Sequence, residues 1–353
     1  MFIRPALTST LAQAAKSTAR SQWAPLRTYA TEAGKPSGGK ESNTPLFLAL
    51  GGLAGLGAWY AMGGFGDGKQ VPAKVQEKGQ DLAQKAEQAV GAGGALRKDA
   101  FVNLTLKEVK PYNHDSSTFI FEIPDNQKPG TNVASAILLK AADDSVKDKE
   151  GKSVIRPYTP TSSPDTAGEI ELLVKKYENG LMTTHIHNLK PGDKLGFKGP
   201  IPKWQYKANE FEHIGMIAGG SGITPMWQVI QQIASDPNDK TQVTLVYTNK
   251  TEKDILLREQ FDKLAKTDNR FKVVYGLDQA PKGWNGFTGY ATPEVLYKHL
   301  PLPALADKAK IFVCGPPGQV QAISGGKGPK GSQGELKGIL ADMGYQADQV
   351  YKF

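Results

Sequence analysis

The feature of the sequence that most constrains the fold is a change of pattern near residue 213. Before it, Pro, Gly, Asn and Asp separate short β-rich runs, among them FVNLTLKEVKPY, TFIFEI, EIELLVKKY and DKLGFKGP. After it, the apolar strands HIGMIAGG, TQVTLVYTN, RFKVVYGL and KIFVCGPP are combined with the helical segments TPMWQVIQQIAS and DILLREQFDKLAKT. The first pattern predicts a small antiparallel barrel or sandwich, and the second predicts a parallel, doubly wound sheet. We therefore expect an all-β domain over residues 101–208 and a Rossmann-like α/β domain over residues 209–353.

Residues 1–41 are predicted to be a mitochondrial presequence followed by a linker. The first 31 residues contain no Asp or Glu, and they carry four basic residues among Ser, Thr and Ala. This composition is typical of a mitochondrial presequence, which the membrane potential draws in and which is then removed. The alternative interpretation is a disordered basic tail.

The next two segments are predicted to be a membrane anchor and a spacer. Residues 42–66 carry no charge, and Trp59 and Tyr60 lie where an interfacial aromatic belt is expected. Their length suits a single transmembrane helix, although six glycines among residues 51–64 lower its hydrophobicity. Residues 67–100 are rich in Ala, Glu, Lys and Gln, which is typical of a solvated helical spacer.

Charge and composition exclude several classes of function. The net charge is +8, but residues 1–100 hold 12 Lys and Arg against seven Asp and Glu, while residues 101–353 hold 31 against 28. The folded part therefore carries no marked basic excess, and we expect no nucleic acid partner. A single cysteine, Cys314, excludes an internal disulfide, and the five histidines form no HExxH motif, so we expect no metal site.

A glycine-rich loop follows the first strand of the α/β part. The segment GMIAGGSGITPMWQVI passes from a strand through Gly219, Gly220, Ser221 and Gly222 into a helix opened by Thr224. Glycines let the backbone approach a pyrophosphate closely, and a helix N-terminus offers oriented N–H groups. The loop therefore predicts a dinucleotide site, and the alternative is a tight turn without a ligand.

The segment FVCGPPGQV places Cys314 at the end of a later strand, ahead of Gly315 and Pro316. Ligands of open α/β sheets lie beyond the carboxyl ends of the strands, so Cys314 is placed where a nicotinamide ring could lie. We expect it to line the site rather than to act as a nucleophile. The alternative is a buried small apolar residue.

Asp254 follows the second strand of the α/β part, in TNKTEKDILLRE. A carboxylate there could accept a hydrogen bond from an adenosine ribose 2′-hydroxyl and would favour NADH over NADPH. The same residue completes the pattern Thr251-x-x-Asp254, which is typical of a capping box at the start of a helix. The sequence leaves both interpretations open.

Two segments of the β-rich part are suited to a phosphorylated, planar ligand. In VIRPYTPTSS, Arg156 and Tyr158 alternate in a proline-stiffened strand, so their side chains share one face. Arginine can bind a pyrophosphate, and tyrosine can lie beside a planar ring. Further on, Gly180 precedes Leu181–Thr184, which enter a short helix whose N-terminus could bind phosphate oxygens.

Taken together, these motifs resemble the ferredoxin–NADP reductase superfamily and, within it, the NADH–cytochrome b5 reductase family. The family patterns RPYTP, G-x-M-T, GGSGITP and CGPP occur in order, and the resemblance spans about residues 101–353. The presequence, the anchor, FKGPIPKW and SGGKGPKGSQGELKGIL are similar to fungal mitochondrial members. The resemblance implies an antiparallel β-barrel FAD domain followed by an α/β NADH domain.

The resemblance also implies roles for individual residues. Expected at the FAD are Arg156, Pro157, Tyr158, Thr159, Leu173, Val174, Lys175, Gly180, Leu181, Met182, Thr183 and Thr224. Expected at the NADH are Gly219, Gly220, Ser221, Gly222, Asp254, Cys314, Gly315 and Pro316. Thr159, near the flavin N5, and Cys314 are the expected catalytic residues. Leu181 stands where the family usually has Lys, and Gly318 stands where a third Pro is common.

The implied activity is that of an oxidoreductase. NADH would reduce FAD by hydride transfer, and single electrons would then pass to cytochrome b5 or a similar haem protein. The implied location is the mitochondrial outer membrane, the intermembrane space or both, with a single-pass anchor. Two alternatives stay open, an NADPH-dependent reductase of the same superfamily and an anchored flavoprotein without turnover. The sequence leaves the oligomeric state open.

Overall fold

The computed structural model describes residues 94–353, which belong to one compact unit. They form an antiparallel sheet followed by a parallel sheet, which confirms the predicted order of a β-domain and an α/β domain. The presequence predicted for residues 1–41, the anchor predicted for 42–66 and most of the spacer predicted for 67–100 lie outside the described residues. Within residues 94–353, no helix has the length and apolar character that a membrane span requires.

The first sheet is a six-stranded antiparallel barrel. Its strands are β1 (Val102–Pro111), β2 (Ser116–Glu122), β3 (Ser135–Ala141), β4 (Arg156–Tyr158), β5 (Glu169–Lys175) and β6 (Lys194–Pro202). They lie in the order β4-β3-β6-β1-β2-β5, and every pairing is antiparallel. The N–H of Thr161 donates to the carbonyl of Glu171 at 2.9 Å, so the chain after β4 meets β5 and the two ends of the sheet come together.

Alternating side chains fill this barrel. In β1, Leu104 and Leu106 are buried while the residues beside them are partly or fully exposed, as the two-residue period of a strand requires. Phe121 and Phe197 meet edge to face inside the barrel, with ring centroids 4.9 Å apart. One helix, α1 (Leu181–Asn188), packs Met182 and Ile186 into the same core.

The second sheet is parallel throughout. Its strands are β7 (His213–Gly219), β8 (Gln242–Asn249), β9 (Phe271–Leu277), β10 (Phe287–Thr288), β11 (Ala309–Cys314) and β12 (Val350–Lys352). They lie in the order β10-β9-β8-β7-β11-β12. The chain runs outward from β7 to β10 and then returns to β11 on the other side of β7. The strand order therefore reverses between β7 and β11, which is where open α/β sheets bind ligands.

Five helices accompany this sheet, and one of them begins later than predicted. They are α2 (Ile223–Ser235), α3 (Arg258–Thr267), α4 (Pro293–His299), α5 (Pro317–Ser324) and α6 (Gly338–Asp342). The segment DILLREQFDKLAKT predicts a helix from Asp254, but Glu252–Asp254 form only one 3-10 turn. Leu257 then takes a left-handed φ of 58°, and its N–H donates to the hydroxyl of Tyr112 instead of entering a helix.

Helix α2 joins the two halves along a seam, which we define by Trp227 and Gln228 and the backbone that they contact. The indole N–H of Trp227 donates to the carbonyl of Thr161 at 3.2 Å. The buried amide of Gln228 accepts from the N–H of Ser135 and donates to the carbonyl of Pro160. These bonds satisfy backbone groups of β3 and of the carboxyl end of the RPYTP segment, and they fix that end against the α/β half.

Candidate active site: a cleft between the two halves

A cleft of about 930 Å³ lies between the barrel and the carboxyl edge of the parallel sheet. It is lined by nearly all the residues predicted from the sequence to bind a cofactor. These are Arg156, Pro157, Tyr158, Thr159, Leu173, Val174, Lys175, Gly180, Leu181, Met182, Thr183, Ser221, Gly222, Thr224, Cys314, Gly315 and Pro316. Three predicted site residues, Gly219, Gly220 and Asp254, are not among the lining residues.

Strand β4 brings Arg156 and Tyr158 to the cleft. The strand is short because Pro157 and Pro160 lack N–H donors, and it pairs only with β3. One guanidinium nitrogen of Arg156 donates to the carbonyl of Ile155 at 2.9 Å, and no carboxylate of residues 94–353 lies within ion-pairing distance of it. The guanidinium is exposed to the cleft with donors to spare, which suits an anionic ligand.

The Tyr158 side chain is half-buried beside Arg156. Burial raises the pKa of its hydroxyl above the ordinary value, and the nearby charge of Arg156 only partly offsets this effect. The hydroxyl therefore stays protonated in the physiological range and can donate a hydrogen bond into the cleft. The ring offers a flat apolar surface next to the guanidinium, a combination that suits a planar ring attached to a phosphate chain.

The start of α1 provides a second group of donors. The hydroxyl of Thr183 donates to the carbonyl of Gly180 at 3.0 Å and accepts from the N–H of Tyr177 at 3.2 Å. A Cβ at residue 180 would lie 2.2 Å from that hydroxyl, so only glycine permits this turn. The N–H groups of the first helical turn have no partner within the helix, and Gly180–Thr183 line the cleft, so these donors suit phosphate oxygens.

The glycine loop and the Cys-Gly-Pro-Pro turn meet where the strand order reverses. A Cβ at Gly222 would lie 2.5 Å from the carbonyl oxygen of Cys314, and one at Gly219 would lie 1.9 Å from Oε1 of Gln319. These two glycines therefore allow the loop to pack against the turn. Gly220 differs, because its φ is +49° and an added Cβ would meet nothing within 4 Å. Gly220 therefore allows the loop to adopt a left-handed backbone conformation at this position.

Cys314 lines the cleft at the end of β11, as predicted for a lining residue. Burial raises the pKa of its thiol to about 11. The thiol is therefore protonated at neutral pH and is a poor nucleophile, since the thiolate is the reactive form. A neutral, polarisable thiol suits a position beside an aromatic ring.

Asp254 lies outside the lining of the cleft and is 6% exposed. Its Oδ2 accepts from the N–H and the hydroxyl of Thr251, at 3.0 and 2.6 Å, and its Oδ1 accepts from Nζ of Lys175 at 2.9 Å. Burial alone would raise the pKa of the carboxyl, but the bonds from Thr251 and Lys175 outweigh it and hold the pKa below its ordinary value. The capping box predicted from Thr251-x-x-Asp254 is therefore present, and the ribose contact stays a prediction.

The capping box closes a single 3-10 turn rather than opening α3. The physical reason is that Ile255, Leu256 and Leu257 are buried in the α/β core, and this burial interrupts the helical path between Asp254 and Arg258. The sequence alone predicts a helix here because Leu256, Leu257, Arg258 and Glu259 are good helix formers that follow a capping-box pattern.

Further residues line the cleft that were not predicted as site residues from the sequence, among them Tyr177, Lys203, Lys327 and Phe353. The hydroxyl of Tyr177 lies 2.6 Å from Oγ of Ser221, so this pair spans the cleft from the barrel to the glycine loop. The residues FKGPIPKW, SGGKGPKG and VYKF contain the other three, and only their position in the fold reveals that they meet at one site.

Lys352 holds the glycine-rich segment that brings Lys327 to the cleft. Its buried ammonium donates to the carbonyls of Ser324, Gly326 and Glu335, at 3.1, 3.3 and 3.1 Å. The backbone of Lys352 also exchanges two hydrogen bonds with the side-chain amide of Gln333. The segment is therefore fastened to β12 at several points, although glycines make up much of it.

Comparison with family models first gives the class of the protein. Residues 103–206 match the family described as an oxidoreductase FAD-binding domain, and residues 216–325 match an oxidoreductase NAD-binding domain. The two matches fall on the two halves of the fold and meet at the cleft. The chain is therefore an oxidoreductase whose halves bind FAD and NAD.

Individual relatives give the family. The chain is 68% identical over 353 residues to NADH-cytochrome b5 reductase 2 of Mycosarcoma maydis, with 100% of both chains covered. It is 45% identical over 331 residues to the protein of the same name from Coccidioides immitis, which covers 93% of this chain and 95% of that one. The solved cytochrome b5 reductase domain of Ulva prolifera nitrate reductase is 30% identical, with a TM-score of 0.64, covering 74% of this chain and 99% of that one. The chain belongs to the NADH-cytochrome b5 reductase family.

The residues of the cleft fit the cofactors of this family. FAD and NADH each combine an anionic pyrophosphate with planar rings. The guanidinium of Arg156 and the N-terminus of α1 supply donors for an anion, while Tyr158 and Phe353 supply aromatic surface. On the α/β side, the glycine loop opens α2 beside the reversal of strand order, the position expected for a dinucleotide.

Proposed function

We propose that this protein transfers electrons from NADH, through FAD, to cytochrome b5 or a similar haem protein. The observation that carries the proposal is that motif residues of both halves line a single cleft of about 930 Å³. A cleft of this kind can bring a nicotinamide ring and a flavin ring together. The names of the relatives, which are NADH-cytochrome b5 reductases, support the choice of donor and acceptor.

FAD supplies the redox chemistry, since it accepts a hydride and releases electrons one at a time. The protein has to bind the two cofactors, hold their rings at reacting distance and keep water out. Arg156 and the start of α1 would bind the flavin phosphates, while Tyr158 and Thr159 would hold the edge of the ring. Thr224, at the start of α2, brings a hydroxyl from the α/β half to the same cleft.

The rest of the cleft is suited to orienting the nicotinamide. Cys314 and Phe353 line it with apolar, polarisable surface, and the protonated thiol does not compete as a nucleophile. Since the two bound cofactors would themselves supply the hydride donor and the hydride acceptor, we assign no general acid or base to the residues of this cleft. The protein would fix the relative position of the two rings, and a small error in that position would slow the reaction strongly.

The test uses the purified full-length chain. We expect a bound-flavin absorption spectrum, rapid bleaching by NADH under argon, and NADH-driven reduction of ferricyanide and of cytochrome b5. Turnover with NADPH should be far slower. A chain that binds flavin but reduces neither acceptor would be an anchored flavoprotein without turnover. Equal rates with NADH and NADPH would instead favour the alternative of an NADPH-dependent reductase of the same superfamily.

We also propose that residues 1–41 are a mitochondrial presequence and that residues 42–66 are a single membrane anchor. The support is the acid-free basic composition of the first segment and the uncharged apolar composition of the second. Import into isolated mitochondria should require residues 1–41, and resistance to alkaline carbonate extraction should require residues 42–66. Protease protection of the product would then distinguish the outer membrane from the intermembrane space. Extraction of the intact chain by carbonate would contradict the anchor.

A further inference from the structure

A buried glutamine of α2 lies between the ends of two barrel strands. In the register of β3 and β4, Ile137 lies opposite Tyr158, so the same register places Ser135 opposite Pro160. At that position the side-chain amide of Gln228 accepts from the N–H of Ser135 at 3.2 Å and donates to the carbonyl of Pro160 at 3.1 Å. A side chain of the α/β half therefore bridges two barrel residues that the strand register places opposite each other.

The peptide group between Pro160 and Thr161 is held from both halves of the molecule. Its carbonyl accepts from Gln228, while its N–H donates to the carbonyl of Glu171 on β5 at 2.9 Å. The next carbonyl, that of Thr161, accepts from the indole N–H of Trp227 at 3.2 Å. Because both polar groups of this peptide are bonded, the peptide plane cannot rotate unless one of the two bonds breaks.

The held peptide follows Thr159 directly, and Thr159 lines the cleft. The only residue between them is Pro160. A proline fixes its own φ and restricts the backbone of the residue before it, so little freedom remains between Thr159 and the held peptide. The orientation of that peptide therefore determines where the hydroxyl of Thr159 lies in the cleft.

Helix α2 connects this peptide with the nucleotide side of the cleft. Gln228 lies one helical turn after Thr224, which brings a hydroxyl of the α/β half to the cleft. Residues four apart share a helix face, so one face of α2 both borders the cleft and holds the RPYTP segment. The helix begins directly after the glycine loop, which is expected at the NADH.

We propose that Gln228 is a positioning residue of the reaction, which fixes Thr159 relative to α2 and thereby aligns the flavin ring with the nicotinamide ring. Gln228 is 2% exposed and is not among the residues that line the cleft. It therefore acts through Thr159 and not by contact with a ligand. The inference rests on the proposed function, because its consequence is a rate of hydride transfer from NADH to FAD.

The alternative interpretation is that Gln228 only satisfies two buried backbone groups. A buried N–H or carbonyl without a partner is destabilising, so a substitution would then lower the free energy of unfolding. It would leave unchanged the rate at which each folded, flavin-loaded molecule reacts. The rate per bound flavin therefore separates the two interpretations.

The first experiment measures the bleaching of bound flavin by NADH under argon, in a single turnover of the full-length, FAD-loaded chain. We expect Gln228→Leu to slow the bleaching about tenfold per bound flavin, since a small displacement of reacting groups is costly to the rate. The affinity for FAD should stay close to that of the wild type, because Arg156 and the start of α1 are untouched. Gln260→Leu, which replaces an exposed glutamine of α3, is the matched control and should react like the wild type.

A conservative variant gives a pH profile that a change of packing alone does not produce. In Gln228→Glu, a protonated carboxyl can accept from Ser135 and donate to Pro160, whereas an ionised carboxylate cannot donate. Burial raises the pKa of such a carboxyl, so the variant should react like the wild type at about pH 6 and like Gln228→Leu at about pH 9. The wild type is the reference over the same range, because the carboxylate of Glu171 accepts from the hydroxyl of Thr161 at 2.9 Å.

A third readout depends on neither NADH nor turnover. The N–H of Thr161 exchanges with solvent when its bond to Glu171 opens, so its hydrogen exchange reports whether the peptide is held. In the full-length chain without NADH, we expect this exchange to be about tenfold faster in Gln228→Leu than in the wild type. Exchange in β1, which Gln228 does not contact, should be unchanged.

Three outcomes would overturn the proposal. An unchanged rate per bound flavin in Gln228→Leu, together with a lower free energy of unfolding, would mean that Gln228 only satisfies buried groups. A rate in Gln228→Glu that stays at the level of Gln228→Leu at every pH would mean that altered packing, and not the lost bonds, slows the reaction. Unchanged exchange at Thr161 would mean that the peptide is held without Gln228. A wild type whose flavin NADH does not bleach would instead refute the proposed function, while the exchange result would still show whether Gln228 holds the peptide.

Discussion

The barrel half and the α/β half contribute to the cleft in different ways. The RPYT segment of the barrel places functional side chains there, with a guanidinium, a phenol ring and a hydroxyl within four consecutive residues. The glycine loop of the α/β half contributes mainly backbone, and Gly219 and Gly222 are glycines because Gln319 and Cys314 leave no room for a Cβ. The side-chain motif thus indicates which kind of ligand the site suits. The glycine motif indicates instead that the loop packs closely against the neighbouring turn.

The largest effect is expected from breaking the side-chain contribution of the barrel. Arg156→Ala should weaken FAD binding by about one to two orders of magnitude, because a hydrogen bond to a charged group contributes about 1.5–3 kcal/mol. The melting temperature of the apoprotein should stay close to that of the wild type, since Arg156 makes no ion pair within residues 94–353. Fluorimetric titration of the apoprotein with FAD measures the change. Arg97→Ala, which removes an exposed arginine paired with Asp99, is the control and should bind FAD normally.

A substitution in the glycine loop should instead lower the free energy of unfolding. Gly222→Ala would place a Cβ 2.5 Å from the carbonyl oxygen of Cys314, and overpacking of this kind costs about 1–3 kcal/mol. Urea unfolding of the α/β half should show the loss, and nucleotide binding should fall with it. Gly318→Ala is the matched control, because its Cβ would meet nothing within 4 Å and alanine favours a helix. If Gly222→Ala were as stable as Gly318→Ala, the packing role assigned to the loop would be wrong.

A gain of function would sharpen the comparison on the barrel side. Leu181 lines the cleft at the start of α1 and is 51% exposed, so Leu181→Lys adds a cation where the flavin phosphates are expected. We expect up to about fivefold tighter FAD binding at low salt, since an exposed ion pair contributes about 0–1 kcal/mol. The gain should disappear at high ionic strength. Leu302→Lys changes an equally exposed leucine outside the cleft lining and should leave FAD affinity unchanged.

The smallest effect concerns the thiol on the α/β side. Because the pKa of Cys314 is raised to about 11, the thiolate fraction at pH 7 is very small. Alkylation by iodoacetamide should therefore be slow at neutral pH and should accelerate as the pH rises toward 11. Mass spectrometry of the modified chain gives the rate at each pH. A rate that levels off near pH 8 would show a reactive thiolate and would contradict the protective effect of burial.

The sequence predicts the two halves well because their strands follow local rules. Short β-rich runs bounded by turn residues predict β1 and β2, and apolar runs followed by glycine predict β7 and β11. The two-residue β10 and the three-residue β12 are too short for any periodicity. The start of α3 also escapes prediction, because the left-handed Leu257 is fixed by a bond to Tyr112, 145 residues earlier in the chain.

The residues of the candidate site also divide into those that a local pattern predicts and those that it does not. Motif residues that line the cleft directly can be found from their local pattern, as with Arg156 and Cys314. Asp254 is different, because its partner Lys175 lies 79 residues away, and the local pattern indicates a capping box and a ribose contact but not this ion pair. Lys203 and Lys327 lie in segments for which the resemblance implies no role at the site, and they reach the cleft only through the packing of those segments.

The fastening of the glycine-rich segment by Lys352 has a consequence for chemical footprinting. Lys352 is 2% exposed and its ammonium is held by three carbonyls, so an amine-reactive reagent can modify it only after the segment detaches. Lys327 lies in the same segment, but its side chain is exposed at the cleft. Partial desolvation of its amine, followed by the charge of Lys203, lowers the pKa of that amine. It should react readily until a ligand covers it. One short peptide thus carries two lysines, one that records occupancy of the cleft and one that records unfolding.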